Sequence, residues 1–279
     1  MERDGRIGLI AGNGRFPIIF SERVRTLGYQ VSAVAHIGET APELEQAVDW
    51  IQWVKIGQFN KVVQAFRKHD IHQAVMLGGF KKTHVFSKVS PDLRALMLLS
   101  QLKDWNDDGI LRAVAGELER EGIQIIDSTF GLEDILVEEG VLTNRTPTKK
   151  EWADIQFGWE MARDIGRLDI GQCVVVKNRA VVAVEAAEGT DETIRRGGQL
   201  AQKNAVVVKR CKPTQDRRFD LPAIGPISIE RMIEGKASAL ALEAGRTIVL
   251  DRDLVLEQAN ANHIAIVGMS ASPGPSPSV

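Results

Sequence analysis

Four stretches of this sequence gather residue types that do chemistry. GLIAGNGRFP, from Gly8 to Pro17, ends an apolar run in Gly12, Asn13 and Gly14 just ahead of a helical pattern. Glycines after a strand let a ligand approach the main chain, and the next helix offers N–H groups and the positive end of its dipole, a setting that suits phosphate. WNDDGILR puts Asp107 and Asp108 one turn before Arg112. Adjacent acids there cap a helix, or clamp a metal and a phosphate together with the arginine. VEAAEGTDE, from Val184 to Glu192, sets four acids around Gly189, with Thr190 and Asp191 at a helix start. A strand end followed by glycine and a cap is where ligands commonly sit in α/β sheets, although capping by Thr190 or Asp191 with solvated glutamates explains the same pattern. QDRRFDLPAIG, from Gln215 to Gly225, carries Asp216, Arg217, Arg218 and Asp220 in a loop braked by Pro222 and Gly225. These charges either pair with one another or bind phosphate and a divalent cation, since Mg²⁺ takes one or two carboxylates plus phosphate oxygens.

Two departures turn the glycine turn away from a dinucleotide. Gly12 and Gly14 occupy the first two glycine positions of that fingerprint, but Pro17 stands at the third. No acid ends the second strand, where His36 and Ile37 stand and Glu39 comes later. A nicotinamide oxidoreductase is therefore disfavoured, and a phosphate or diphosphate ligand remains. A tight turn in a glycine-rich fold is the plainer alternative. His36, His69, His72, His84 and His263 lack metal-ligand spacing, and no G-x-S-x-G elbow is present.

The elements that must position these residues alternate. Strands are expected at Arg6–Ala11, 29–36, 50–56, 73–78 (leading into Gly78 and Gly79) and 123–127, with helices at 16–27, 59–69, 92–102 and 109–121. This pattern predicts an α/β chain whose N-terminal domain, residues 1–134, is a doubly wound, Rossmann-like parallel sheet. Residues 135–150 read as a linker. A second α/β domain over 151–269 opens with a helix carrying Trp152, Trp159 and Met161, followed by strands at 172–177 and 180–186 around an Asn178-Arg179 hairpin turn. Residues 270–279, rich in Pro and Ser, read as a disordered tail.

The chain has 279 residues, of which 44% are hydrophobic and 26% charged, enough for substantial cores. Its net charge of −2, without a basic stripe, argues against nucleic acid. Two cysteines, Cys173 and Cys211, argue against a disulfide framework or thiolate zinc site and fit a reducing cytoplasm. The opening MERDGRIGLIAGNG lacks a signal-peptide core, and no run reaches membrane-helix length, so contact with lipid is expected through a pocket or surface.

Taken in order, GLIAGNGRFP, WNDDGILR, IGRLDIGQCVVV, AVEAAEGTDETIRR and QDRRFDLPAIGP resemble the signature stretches of one enzyme family from about Gly8 to Gly268. That family is the metal-dependent UDP-2,3-diacylglucosamine diphosphatases of lipid A biosynthesis, distinct from the calcineurin-like phosphoesterases. The resemblance implies two domains and cleavage of UDP-2,3-diacylglucosamine by water to UMP and 2,3-diacylglucosamine 1-phosphate (lipid X), with Mg²⁺ or Mn²⁺. It also implies that Asp220, the aspartate of the D-L-P motif, is tied most directly to activity. Residue chemistry adds Asp107, Asp108, Glu188 and Asp191 as further metal ligands, and Asp216, Arg217 and Arg218 beside Asp220. Gly12, Asn13, Gly14, Gly78, Gly79, Arg112 and Thr190 are expected at the substrate. So is Lys81, which with Lys82 follows Gly79 in GGFKKTH. The Trp152/Trp159/Met161 face is a candidate acyl channel, with plain core as the alternative. A homodimer and peripheral contact with the inner membrane are further expectations. The competing class is a UDP-sugar-binding regulatory module without turnover, which a metal-dependent assay separates from the enzyme.

Overall fold

The computed structural model describes residues 5–79, 90–100, 107–213, 215–219 and 221–271, with Asp107 and Asp108 described by their backbone alone. Lys81, Lys82, Asp220 and residues 272–279 therefore lie outside the described residues. The chain divides into two compact units. One runs to Glu133 and also takes in residues 216–219; the other holds Asp134–Gln215 and the chain from Leu221 onward.

In the N-terminal unit, apolar runs become five parallel strands: β1 (Arg6–Ala11), β2 (Gln30–His36), β3 (Trp50–Val54), β4 (Gln73–Leu77) and β5 (Gln124–Ile125), in the order β3-β2-β1-β4-β5. Order reverses between β1 and β4, the topological switch point outside which ligands bind in open α/β sheets. The helix Phe16–Thr26 opens on Pro17, whose missing N–H is harmless in a first turn, and carries Arg23 and Arg25 in its last turn against the dipole. Gly28 follows at φ 88°, as a helix C-cap requires. Phe59, Val62, Val63 and Phe66 recur at helical spacing on Phe59–Lys68 and are buried. The expected helices 92–102 and 109–121 are observed as Leu93–Ser100 and Asp107–Arg120. A four-residue helix, Leu44–Ala47, adds to the expected elements.

The second unit is built on a six-stranded mixed sheet. β6 (Gly140–Val141), β7 (Cys173–Lys177), β8 (Ala180–Val184), β9 (Val206–Lys209), β11 (Ala239–Glu243) and β13 (Ala265–Met269) take the order β6-β13-β11-β9-β7-β8. β9, β11 and β13 are parallel; β6, at one edge, and β7 run antiparallel to their neighbours. β6 falls inside the stretch read as a linker, so that segment contributes a strand to this sheet. A separate parallel pair joins β10 (Ala223–Ile224) to β12 (Ile248–Val249).

The sheet's two faces follow the period of two. Val174, Val176, Val206 and Val208 pack under Ile155, Trp159 and Ala162 of the helix Lys149–Arg167. Val175 and Val207 face Ile194, Ile229, Met232 and Val255 on the other side. Trp159 is 1% exposed, and Trp152 and Met161 pack against its cluster. This face is core, not an acyl channel, because its ring surface is spent on the sheet. Thr148 and Glu151 form a reciprocal capping box at the start of that helix. Asn178 and Arg179 both take positive φ, 50° and 56°, as a two-residue hairpin demands, and Asp154 accepts both of their N–H groups at 3.0 and 2.6 Å.

Candidate functional site

The glycine turn leaves the carboxyl end of β1 at the switch point. Gly12 N–H donates to Leu77 O and Asn13 N–H to Gly79 O, both at 2.8 Å. A Cβ on Gly12 would lie 2.4 Å from Gly79 O, and one on Gly78, at φ 83°, would lie 2.4 Å from Asn13 O. Gly12 and Gly78 therefore let two turns pack main chain against main chain, whereas a Cβ on Gly79 would meet only the Asn13 side chain at 3.5 Å. The first two N–H groups of the turn are spent on carbonyls, so an anion here would be met by the main chain from Gly14 onward. Gly14, at φ 87°, borders open space.

The end of β2 shows what replaces a ribose acid. His36 is 7% exposed, and its Nδ1 lies 3.0 Å from Ala11 O, a carbonyl that also accepts the Thr40 hydroxyl at 2.6 Å. Burial pushes the His36 pKa down, so the neutral ring donates from Nδ1. Glu39, also buried, accepts the Asn13 side-chain amide at 3.3 Å. Glu39 and Thr40 belong to the turn's surroundings although no sequence motif marked them. The signal available was an acid and a hydroxyl just after the strand end.

Residues 216–219 are held within the N-terminal unit. Phe219 is 6% exposed in a core with Ile10, Met76 and Ile125. Ser128 donates to Arg217 O through its N–H at 3.1 Å and its hydroxyl at 2.7 Å. Arg218 grips Asp216 through Nε and Nη2, reaches Glu119 at 2.9 Å, and lies over the Phe219 ring at 4.9 Å. These bonds from Arg218 hold the Asp216 carboxyl below the usual range, with Arg112 adding its charge from 3.9 Å. Arg217 pairs with Asp127 at 3.0 Å on the surface. Both adjacent arginines thus have carboxylate partners. Asp220, next in the chain, lies outside the described residues.

The acids of the third cluster are divided among separate tasks. Glu188 brackets its helix start: its own N–H and Arg196, 2.7 Å away, lower its pKa. Asp191 accepts the Ser228 hydroxyl at 2.7 Å. Glu185, 8% exposed, accepts the Thr190 hydroxyl at 2.8 Å, and Thr190 in turn accepts from Lys209 Nζ at 2.8 Å. Lys209 ends the apolar run of β9, is 4% exposed and also donates to Ala223 O at 2.8 Å. Sequence reading passed over Lys209; its one signal was a lysine closing a strand of valines. Glu188 is paired with Arg196, and Asp191 accepts from Ser228. Among the described residues, no three His, Cys, Asp or Glu side chains gather around a metal-sized space.

The likeness to known proteins covers nearly the whole chain. The family model described as the LpxI N-terminal domain matches residues 6–135, and the one described as the LpxI C-terminal domain matches residues 138–267. A relative from Caulobacter vibrioides, named UDP-2,3-diacylglucosamine pyrophosphatase LpxI, is 32% identical over 283 residues, spanning 97% of this chain and 99% of its own. The chain therefore belongs to the LpxI family.

Proposed function

We propose that this chain hydrolyses the diphosphate of UDP-2,3-diacylglucosamine, releasing UMP and 2,3-diacylglucosamine 1-phosphate. The observation that carries this is end-to-end likeness to a relative named for that substrate, with both family domains in order. A diphosphate ester repels an incoming nucleophile, so the site must neutralise charge and hold water in line with the P–O bond that breaks. Asp220 is assigned the water-orienting or cation-binding role. Arg217 is suited to phosphate because its exposed pairing with Asp127 exchanges at little cost. Gly14, at the open end of the glycine turn, receives the nucleotide side of the substrate.

A divalent cation, Mg²⁺ or Mn²⁺, belongs to the same proposal and would supply charge neutralisation on the diphosphate. Asp107, Asp108, Glu188, Asp191 and Asp220 are its candidate ligands. No helix among the described residues is long and apolar enough to cross a membrane. Because the substrate carries two acyl chains, it is expected to be met at the inner membrane surface from the cytoplasm; a homodimer belongs to the same proposal. UMP release from UDP-2,3-diacylglucosamine, with Mg²⁺ or Mn²⁺ and with chelator, tests the reading. Turnover that chelator stops supports it; tight binding without UMP release in any metal would identify a UDP-sugar-binding module instead.

A further inference from the structure

An acid that comes three residues too late to end β2 is carried back to the glycine turn by its own loop. Gly38, at φ 84°, turns the chain, and Glu39 and Thr40 both donate their N–H groups to His36 O at 3.0 Å. The loop is fastened to Ala11, the last residue of β1. Ala11 O accepts the Thr40 hydroxyl and the His36 ring N–H, while the Thr40 oxygen accepts the His36 main-chain N–H at 2.9 Å. Glu39 is thereby buried at 8% exposure, and its Oε2 accepts from the side chain of Asn13, the residue between Gly12 and Gly14.

A Rossmann-type sheet keeps an acid at the end of its second strand for the ribose 2′-hydroxyl of a nucleotide whose phosphate sits at the turn after the first strand. Glu39 reaches that place by folding. Burying a carboxyl group costs free energy unless hydrogen bonds offset it. The Asn13 bond, at 3.3 Å, is longer than the charge-assisted bonds of about 2.7–2.9 Å that a carboxylate makes, and its two oxygens accept about four bonds. Gly14, next in the turn, borders open space. The plainer alternative is that Glu39 does no more than orient Asn13.

We propose that Glu39 is a specificity-determining residue of the nucleotide site: its carboxyl oxygens accept the ribose 2′-hydroxyl of a uridine nucleotide whose phosphate lies at Gly14. This rests on the reading of the chain as a UDP-lipid diphosphatase. A Glu39 that only orients Asn13 gives no preference between ribose and deoxyribose.

The test is binding of UMP and of 2′-deoxyuridine monophosphate to the full chain by calorimetry, for wild type and Glu39→Gln, beside UMP release from UDP-2,3-diacylglucosamine. Wild type is expected to bind UMP roughly tenfold or more tightly than the deoxynucleotide, the effect of one hydrogen bond to a charged group. In Glu39→Gln, UMP binding weakens by about tenfold, deoxynucleotide binding changes little, and the loss in turnover falls on KM and not on kcat. Equal weakening of both nucleotides would make Glu39 a support for Asn13 and overturn the proposal, as would unchanged UMP binding. If the variant does not fold, the wild-type comparison decides: a preference for UMP supports the proposal, and equal affinities sink it. Ribose preference in a wild type that releases no UMP would defeat the hydrolase reading alone. UMP release without ribose preference would defeat the Glu39 assignment alone, and a protein that neither binds these nucleotides nor releases UMP would end both.

Discussion

The two units place special residues at the same topological position, the carboxyl ends of parallel strands, and equip it in opposite ways. At β1 and β4 side chains are absent: Gly12 and Gly78 let two turns touch through their main chains. At β9 and β11 ionisable side chains are buried: Lys209 is linked through Thr190 to Glu185, and Glu243, 1% exposed, is flanked by Arg210 and Arg246 at 3.4 Å each. A main-chain contact is set by backbone geometry and cannot be relaxed by a rotamer change. A buried ion pair keeps its shape only while every partner is present, because a lone charge left behind is expensive. The first design therefore fails by sterics and the second by electrostatics, and the two failures look different in experiment.

Gly12→Ala and Gly78→Ala should have the largest effects. Each new methyl group would meet a main-chain oxygen at 2.4 Å, and we expect a loss of about 3 kcal/mol or more from the N-terminal unit, read by chemical denaturation. Full stability with lost activity would instead make the glycines a ligand requirement and break the comparison.

Phe219→Ala comes next. It empties a position 6% exposed in the N-terminal core, and should cost roughly 3 kcal/mol and also lower turnover. A stability change below about 1 kcal/mol would mean that residues 216–219 do not depend on that core.

Arg145→Ala tests an ion pair in the second unit that lies away from the carboxyl-end cluster. Arg145 binds the Glu151 carboxylate through two bonds of 2.9 Å. Burial works to raise the Glu151 pKa, but those bonds and the Thr148 N–H carry it down to about 2. Because the folded value lies below the unfolded value of 4.5, this stabilisation is present above about pH 4.5 and is lost as pH falls toward 2. Denaturation at pH 7 should show a loss of about 2 kcal/mol in the variant. The gap to wild type should close between pH 4.5 and 2; a constant gap would show that Glu151 is not the partner that matters.

Asp216→Asn should have the smallest effect, about 1 kcal/mol or less by denaturation, because Arg218 keeps Glu119 and the Phe219 ring. A loss comparable to Phe219→Ala would place the hold on this loop in the ion pair and not in the aromatic anchor.

Much of the frame was legible because apolar runs and turn residues are local signals. β1 was read to the residue, and the Asn178-Arg179 turn follows from an asparagine, which tolerates positive φ, between two apolar runs. β6 was hidden because two residues, Gly140 and Val141, carry no periodicity. The Trp159 face could be read as channel or core, since helical spacing marks an apolar stripe without naming what covers it. The site was less legible because its key relations are distant in sequence. Nothing near Phe219 shows that it packs with Ile10, and nothing near Lys209 shows that Ala223 O will be its acceptor. Arg217 and Arg218 looked available for phosphate because Asp127 and Glu119 lie some ninety residues or more away along the chain.

The most direct test of the central claim is Asp220→Ala assayed beside wild type with UDP-2,3-diacylglucosamine and Mg²⁺, with UMP release and substrate binding both measured. Turnover is expected to fall by about 10³-fold or more while binding and thermal melting stay close to wild type. UMP release by the variant at the wild-type rate would contradict it.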